Sequence, residues 1–169
     1  MALWADNPTA EFHLGESAGP VALDATGHNN NGDYSQSGVS YGQPSLTTDP
    51  STAVSFSAGS VSIPNAPATL TAYTVEAWIK PAAIRAENIL ARTDASGPSH
   101  TWPVQLRINS SGKLEHYLWE GSAKVVTGTT VLQAGRVYHV VGTAANDGQM
   151  HLYVNGGPTR GDVVTSVPS

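Results

Sequence analysis

Residues 73–81 read YTVEAWIKP, and they place a carboxylate, Glu76, two residues before a tryptophan, Trp78. The phase opposite them carries Tyr73, Val75, Ala77 and Ile79. A carboxylate beside an aromatic ring can serve glycoside cleavage, sugar or metal binding, or only the polar side of a sheet. Cleavage with retention needs two carboxylates about 5 Å apart. The same-face neighbours of Glu76 are Thr74, Trp78 and Lys80, and none of the 13 Asp and Glu residues stands at i, i+2 from another. Glu76 is therefore expected to be a hydrogen-bonded or Lys-paired sheet residue. His13, His28, His100, His116, His139 and His151 show neither H-x-x-x-H nor H-E-x-x-H spacing, which argues against zinc. No G-x-S-x-G elbow is present to raise a serine nucleophile. The chain is not expected to be an enzyme.

Two other groups of residues suit binding. Calcium takes six to eight oxygens, which Asp, Asn and backbone carbonyls in loops supply well. The stretch DATGHNNNGDY (24–34) offers Asp24, Asn29, Asn30, Asn31 and Asp33. A structural Ca2+ held by Asp24, Asn29, Asn31 and Asp33 is one expectation; the alternative is an Asx-turn network that pins the loop without metal. Sugars present apolar C–H faces and many hydroxyls, so they need exposed aromatics beside amides and carboxylates. His100, Trp102, Tyr117 and Trp119 form such a set. In KLEHYLWE (113–120), Leu114, His116 and Leu118 alternate with Glu115, Tyr117 and Trp119. One phase faces a core, and the other faces solvent, a groove or a protein neighbour. Trp4 and Trp78 are expected in the core or against the sheet. Arg160-Gly161-Asp162 is an integrin-type triplet of the sort that arises by chance in turns, and Asn109-Ser110-Ser111 is a glycosylation sequon.

The elements that must hold these residues are strands. With 17 Gly and 11 Pro spread along 169 residues, no stretch sustains a helical apolar period over three turns. PAAIRAENILAR (81–92) suits a turn of helix about as well as a loop entering a strand. Alternating runs bounded by turn residues predict strands near 10–14, 53–57, 60–64, 73–80, 88–92, 104–109, 113–120, 123–129, 137–144 and 150–156. NSSGK (109–113), EGS (120–122), NDG (146–148) and NGG (155–157) read as the turns between them. About ten such strands imply an all-β fold, an antiparallel sandwich or barrel. Residues 24–44 read as one long polar loop, which in a compact domain has a job or is pinned by an ion.

Composition narrows the partners. Charged residues are 12% of the chain, about half the usual share, so the surface is solvated by Ser, Thr, Asn, Gln and Gly, as in secreted or particle-surface β proteins. The formal charge is −5 with 8 scattered Lys and Arg, a poor match to nucleic acid or to an anionic membrane surface. No apolar run is long enough to span a bilayer as a helix. Without cysteine, disulfides and thiolate sites are excluded. MALWADNPTAEF has neither a basic n-region nor an apolar h-region. An extracellular or virion-surface location is expected, reached either after removal of a leader or without one.

Three stretches, YTVEAWIKP, GRVYHVVGTAANDGQMHLYVNG (135–156) and LDATGHNNNGDY (23–34), together resemble the laminin-G-like, concanavalin A-like jelly roll of bacterial surface proteins, carbohydrate-active enzymes and phage tail proteins. AEFHLGE (10–16) is similar to the family's opening strand and TAVSFSAGSVSIP (52–64) to its following hairpin. The resemblance implies a laminin-G-like jelly-roll domain over 1–157, with a rim calcium in many members. The family's glucanases carry E-x-D-x-(x)-E on one strand, a pattern this chain lacks. The family also continues past LYVNG with closing strands that pair beside the opening one. Here residues 158–169 offer only VVTSV (163–167), a tail or incomplete closing strand. An open edge at 10–14 would invite another chain, so a fragment, completion by a partner or homo-oligomer, or fold-back of VVTSV is expected. The function implied is a non-enzymatic recognition or adhesion module of a secreted bacterial or phage surface protein, with glycan as ligand. The alternative is a structural virion component, in decoration or tail, that binds neighbouring protein subunits. A glycoside hydrolase comes third.

Overall fold

The computed structural model describes residues 7–48, 50–64, 72–92, 104–119 and 122–156. The chain divides into two compact units, Met1–Thr69 and Leu70–Ser169. Among the described residues there is no helix, and all strand pairs are antiparallel.

In the first unit, β1 (Val21–Ala22), β2 (Gly32–Tyr34) and β5 (Val61–Ser62) form a sheet in the order β1-β2-β5. β3 (Val39–Pro44) and β4 (Thr52–Phe56) form a separate hairpin pair. Three expectations are corrected here. Residues 10–14 do not form a strand; Phe12 makes only an isolated bridge to Asp24. The 24–44 stretch is not one loop, because β2 and β3 lie inside it. The 52–64 stretch is not a hairpin on itself, since β4 pairs with β3 while β5 pairs with β2. A strand's partner depends on what else is near it in space, which local alternation does not encode. Glu16 ties this unit together. Its Oε1 accepts the Leu23 N–H at 2.8 Å and its Oε2 accepts the Tyr34 hydroxyl at 2.7 Å. Burial, then that carboxylate, hold the Tyr34 phenol well above its ordinary pKa.

The second unit is a two-layer antiparallel β-sandwich. One sheet has the order β10-β9-β8-β7, from β7 (Glu87–Arg92), β8 (Val104–Ile108), β9 (Lys113–Trp119) and β10 (Ala123–Val131). The other has the order β12-β11-β6, from β6 (Tyr73–Ile79), β11 (Tyr138–Ala144) and β12 (Met150–Val154). The undecided 81–92 stretch resolves into bends followed by β7. Between the sheets lies a continuous core that includes Leu106, Ile108, Leu114, Leu118, Val126, Val140, Met150, Leu152 and Val154. Tyr73, Val75, Ala77 and Ile79 pack against it. Every second residue of β9, β11 and β12 is buried, as period-two alternation requires. The β11–β12 connection is the NDG turn: the Gly148 N–H donates to the Ala145 carbonyl at 3.0 Å and Gly148 takes φ +81°, a backbone region in which a Cβ is costly. The candidate closing strand 163–167 and the rest of 157–169 lie outside the described residues.

One polar side chain sits in that core. His116 of β9 is 0% exposed; its Nε2 is 3.0 Å from the Tyr73 hydroxyl and its ring meets the Tyr73 ring edge-on. The space comes from Gly142 on β11, where a Cβ would lie 3.0 Å from the imidazole. Burial pushes the His116 pKa down to about 4, against a smaller opposing pull from the backbone of His151.

Two outcomes follow from this contact. Gly142→Ala should lower stability by about 1–3 kcal/mol through overpacking, read as a lower urea midpoint at unchanged m-value. Because the folded-state pKa of about 4 lies below the ordinary 6.5, the unfolded chain binds the extra proton first. Stability from this group is complete above pH 6.5 and is lost as pH falls toward 4, by up to about 3 kcal/mol. Urea titrations from pH 7 to 4 should show a steeper fall in the parent than in His116→Leu; parallel curves would refute the assignment.

Candidate ligand-binding face

Residues of β9 that do not face the core stand on the outer side of the four-stranded sheet. Glu115 and Tyr117 are half-buried, and Trp119 is 42% exposed at the strand's end. The turn before β9 sets what lies beside them. The Asn109 N–H donates to the Lys113 carbonyl at 2.8 Å, while Asn109 Oδ1 accepts from the Ser111 and Lys113 N–H groups at 2.9 and 3.0 Å. Gly112 closes the turn at φ +75°. That register pairs Arg107 with Glu115 and Gln105 with Tyr117. On the other side of β9, β10 places Val125 opposite Tyr117 and the small Ala123 opposite Trp119.

The outcome is a polar network beside Tyr117, with Trp119 two residues further along the same face of β9. Arg107 Nε and Nη2 each lie 2.8 Å from Glu115 Oε2, and Arg107 Nη1 donates to Gln105 Oε1 at 2.9 Å. Asn109 Nδ2 donates to Glu115 Oε1 at 2.8 Å. The Arg107 guanidinium also lies 5.7 Å from the centroid of the Tyr117 ring, within cation–π range. Where the network meets β7, an open depression of about 540 Å3 is lined in part by Glu87, Asn88, Arg107, Asn109 and Glu115. Its two carboxylates are already engaged: Glu115 by Arg107, and Glu87 by Arg85 Nε at 3.1 Å. The network was not anticipated from sequence, although a signal existed. A turn centred on residues 109–113 implies cross-strand partners 107–115 and 105–117, and both pairs are then on the phase opposite Leu114 and Leu118.

The other site residues fall as follows. Tyr117 and Trp119 are brought onto one face. His100 and Trp102, expected beside them, lie outside the described residues, as do Trp4 and the Arg160-Gly161-Asp162 triplet. Glu76 is on the outer face of the three-stranded sheet, and its partner is His139 Nε2 at 3.2 Å rather than Lys80. Trp78 is not a core residue. It is 50% exposed and stacks on His139 with ring centroids 4.8 Å apart, because its phase is opposite that of Val75 and Ala77.

In the Asp24 loop the oxygens face inward to the backbone. Asp24 Oδ1 accepts the Thr26 hydroxyl at 2.7 Å, the Thr26 N–H at 3.0 Å and the Glu11 N–H at 3.2 Å; Oδ2 accepts the Asn30 N–H at 3.0 Å. The Asp24 N–H in turn donates to Asn31 Oδ1 at 2.9 Å, and Asn29 takes a left-handed φ of +61°. Desolvation by itself would raise the Asp24 pKa, but the donors from Thr26, Asn30 and Glu11 outweigh it and hold the carboxyl well below its usual range. Asp33 stands apart on β2, paired with Val21 and Ser62. Asp24 and Asn31 spend their oxygens on N–H and hydroxyl donors of the loop, and Asp33 lies away from them. No cluster of three or more acidic or histidine side chains that could hold a metal is present among the described residues, so the four as placed do not fit a calcium ion. They form the Asx-turn network.

Searches of curated proteins and of solved structures found no significant match. A family model, Laminin_G_3, described as the concanavalin A-like lectin/glucanases superfamily, matches residues 55–169. That span is more than half of the chain, and it contains both sheets of the sandwich and the whole aromatic and polar face of β8 and β9. The chain belongs to the laminin G type of the concanavalin A-like lectin/glucanases superfamily.

Proposed function

We propose that the chain is a non-enzymatic recognition module whose ligand is carbohydrate, bound on the outer face of the β10-β9-β8-β7 sheet. The observation that carries this reading is the adjacency of two aromatic rings to a pre-ordered polar network. Tyr117 and Trp119 offer flat apolar surface for sugar C–H faces. Beside them Gln105, Arg107, Asn109 and Glu115 are locked in one arrangement by three hydrogen bonds of 2.8 to 2.9 Å and a 2.8 Å ion pair. Side chains ordered before binding lose little entropy on engaging hydroxyls. The family has both binding and hydrolytic members, and the binding reading is favoured because both carboxylates at the depression are engaged by arginines. The low share of charged residues, 12% of the chain, accords with this function, and the reading places the module on a secreted bacterial or phage surface protein.

The competing reading is a structural component of a virion that binds protein neighbours. It is favoured by Val125 and Val131 of β10, the last strand in its sheet order, which are 38% and 54% exposed.

A glycan array probed with the whole chain decides between them. Binding to at least one glycan should be lost or reduced at least tenfold by Trp119→Ala and by Arg107→Ala, and it should be unchanged by EDTA. A blank array with stable oligomers in sedimentation would replace this reading with the structural one. Turnover of chromogenic glycosides abolished by Glu115→Gln would replace it with an enzyme.

A further inference from the structure

The outer face of the three-stranded sheet has its own chemistry, and the β9 site makes no use of it. Cross-strand register lays out three rows: Thr74, Thr143 and His151; Glu76, Val141 and Tyr153; Trp78 and His139. Strand spacing makes this face about 10 Å across and about 14 Å long, wider than one pyranose ring. Trp78 is the largest exposed aromatic on it, and it is held. One side of the indole stacks on His139 at 4.8 Å with the ring planes 28° apart, and half of the residue remains open to solvent. His139 is itself fixed, by Glu76 Oε2 at 3.2 Å on its ring and by Asn155 Oδ1 at 3.0 Å on its backbone N–H. His151 and Tyr153 flank the centre as a tilted ring pair 6.3 Å apart. Among the described residues Glu76 Oε1, the Trp78 indole N–H and the Tyr153 hydroxyl have no hydrogen-bond partner.

We propose that this face is a second saccharide site, taking a neutral β-linked hexopyranoside with its C–H face on Trp78 and its hydroxyls on Glu76 and Tyr153. The ligand class follows from what the face carries. The rows contain one carboxylate and neither Lys nor Arg, and the first cation of this phase, Lys80, lies past the end of β6. A sulfated or uronic chain would meet Glu76 and no compensating guanidinium. The centre, with Thr74, Thr143, Glu76 and His151 around one valine, is more polar than the dry core of a stable protein interface. An all-equatorial pyranose matches both halves: apolar C–H on a ring face, hydroxyls for the unpaired donor and acceptors. Two sites on opposite sheets would let one domain engage two chains and gain avidity on a polymeric surface.

The test is a titration of the whole 15N-labelled chain, reading the indole N–H resonances, with Trp78 and Trp119 assigned from their Phe variants. The probes are cellohexaose, N-acetylchitohexaose and, as the anionic control, a heparin hexasaccharide. At least one neutral probe should shift the Trp78 signal saturably, with heparin inert. Glu76→Gln should weaken that binding at least tenfold on the same signal. Trp78→Ala should weaken it at least tenfold as read from the backbone amides of Val141 and Tyr153 on the same face, and Trp119→Ala should leave it unchanged. The proposal is overturned if neutral probes leave the Trp78 signal in place, whether or not they move that of Trp119. It is also overturned if the Trp78 signal moves with protein concentration alone, which would assign the face to a second copy of the chain.

Discussion

In a two-layer sandwich a pleated strand that buries one phase turns the other away from the core, and the candidate binding faces of this protein follow from that constraint. Leu114, His116 and Leu118 go inward because the core between the two sheets needs them. Glu115, Tyr117 and Trp119 are thereby placed outward on a rigid backbone. The same holds across the sandwich, where burying Val75, Ala77 and Ile79 turns out Glu76 and Trp78. Both candidate faces are by-products of one core. Sites carried on paired strands are positioned more tightly than sites on loops, and among the described residues both faces are built from paired strands.

The contact between His116, Tyr73 and Gly142 shows how the two layers are matched. An imidazole is too wide to sit against a strand residue with a side chain, so the facing position is a glycine. The hydroxyl of Tyr73 then satisfies Nε2, and the neutral ring is kept by burial. A glycine in the middle of a strand weakens local propensity; here it is repaid in close packing between layers. The polar pair also favours one alignment of the sheets over others, since a shift of one residue would bury the imidazole against Val141 or Thr143.

Acidic side chains in this charge-poor chain serve as fasteners. Asp24 gathers four donors and closes its loop. Glu16 links the chain at Leu23 to β2 through Tyr34. Glu115 ties β8, β9 and the turn between them through Arg107 and Asn109. Hydrogen bonds that involve an ionised partner are roughly twice as strong as neutral ones, so a few carboxylates order much backbone. The Asn-rich loop that looked suited to calcium is ordered by this means, the side-chain oxygens of Asp24 and Asn31 turned toward backbone N–H groups.

Alternation in the chain by itself determined the all-β class, the seven strands of the sandwich to within a few residues, and which of Leu114 to Trp119 face the core. Side-chain period is a local property of an extended backbone, and the turn residues at 109–113 and 146–148 mark where each run must end. The turn residues also give β8 beside β9, β9 beside β10 and β11 beside β12; only the tertiary structure decided the other neighbours. It paired β4 with β3 instead of β5, reduced residues 10–14 to a single bridge, and put strands within the expected 24–44 loop. It also chose the partners of the polar groups: His139 for Glu76, Arg107 for Glu115, backbone N–H groups for Asp24. Such choices depend on distances between residues far apart in the chain, up to 63 positions for Glu76 and His139. A pattern with a period of two carries no record of them.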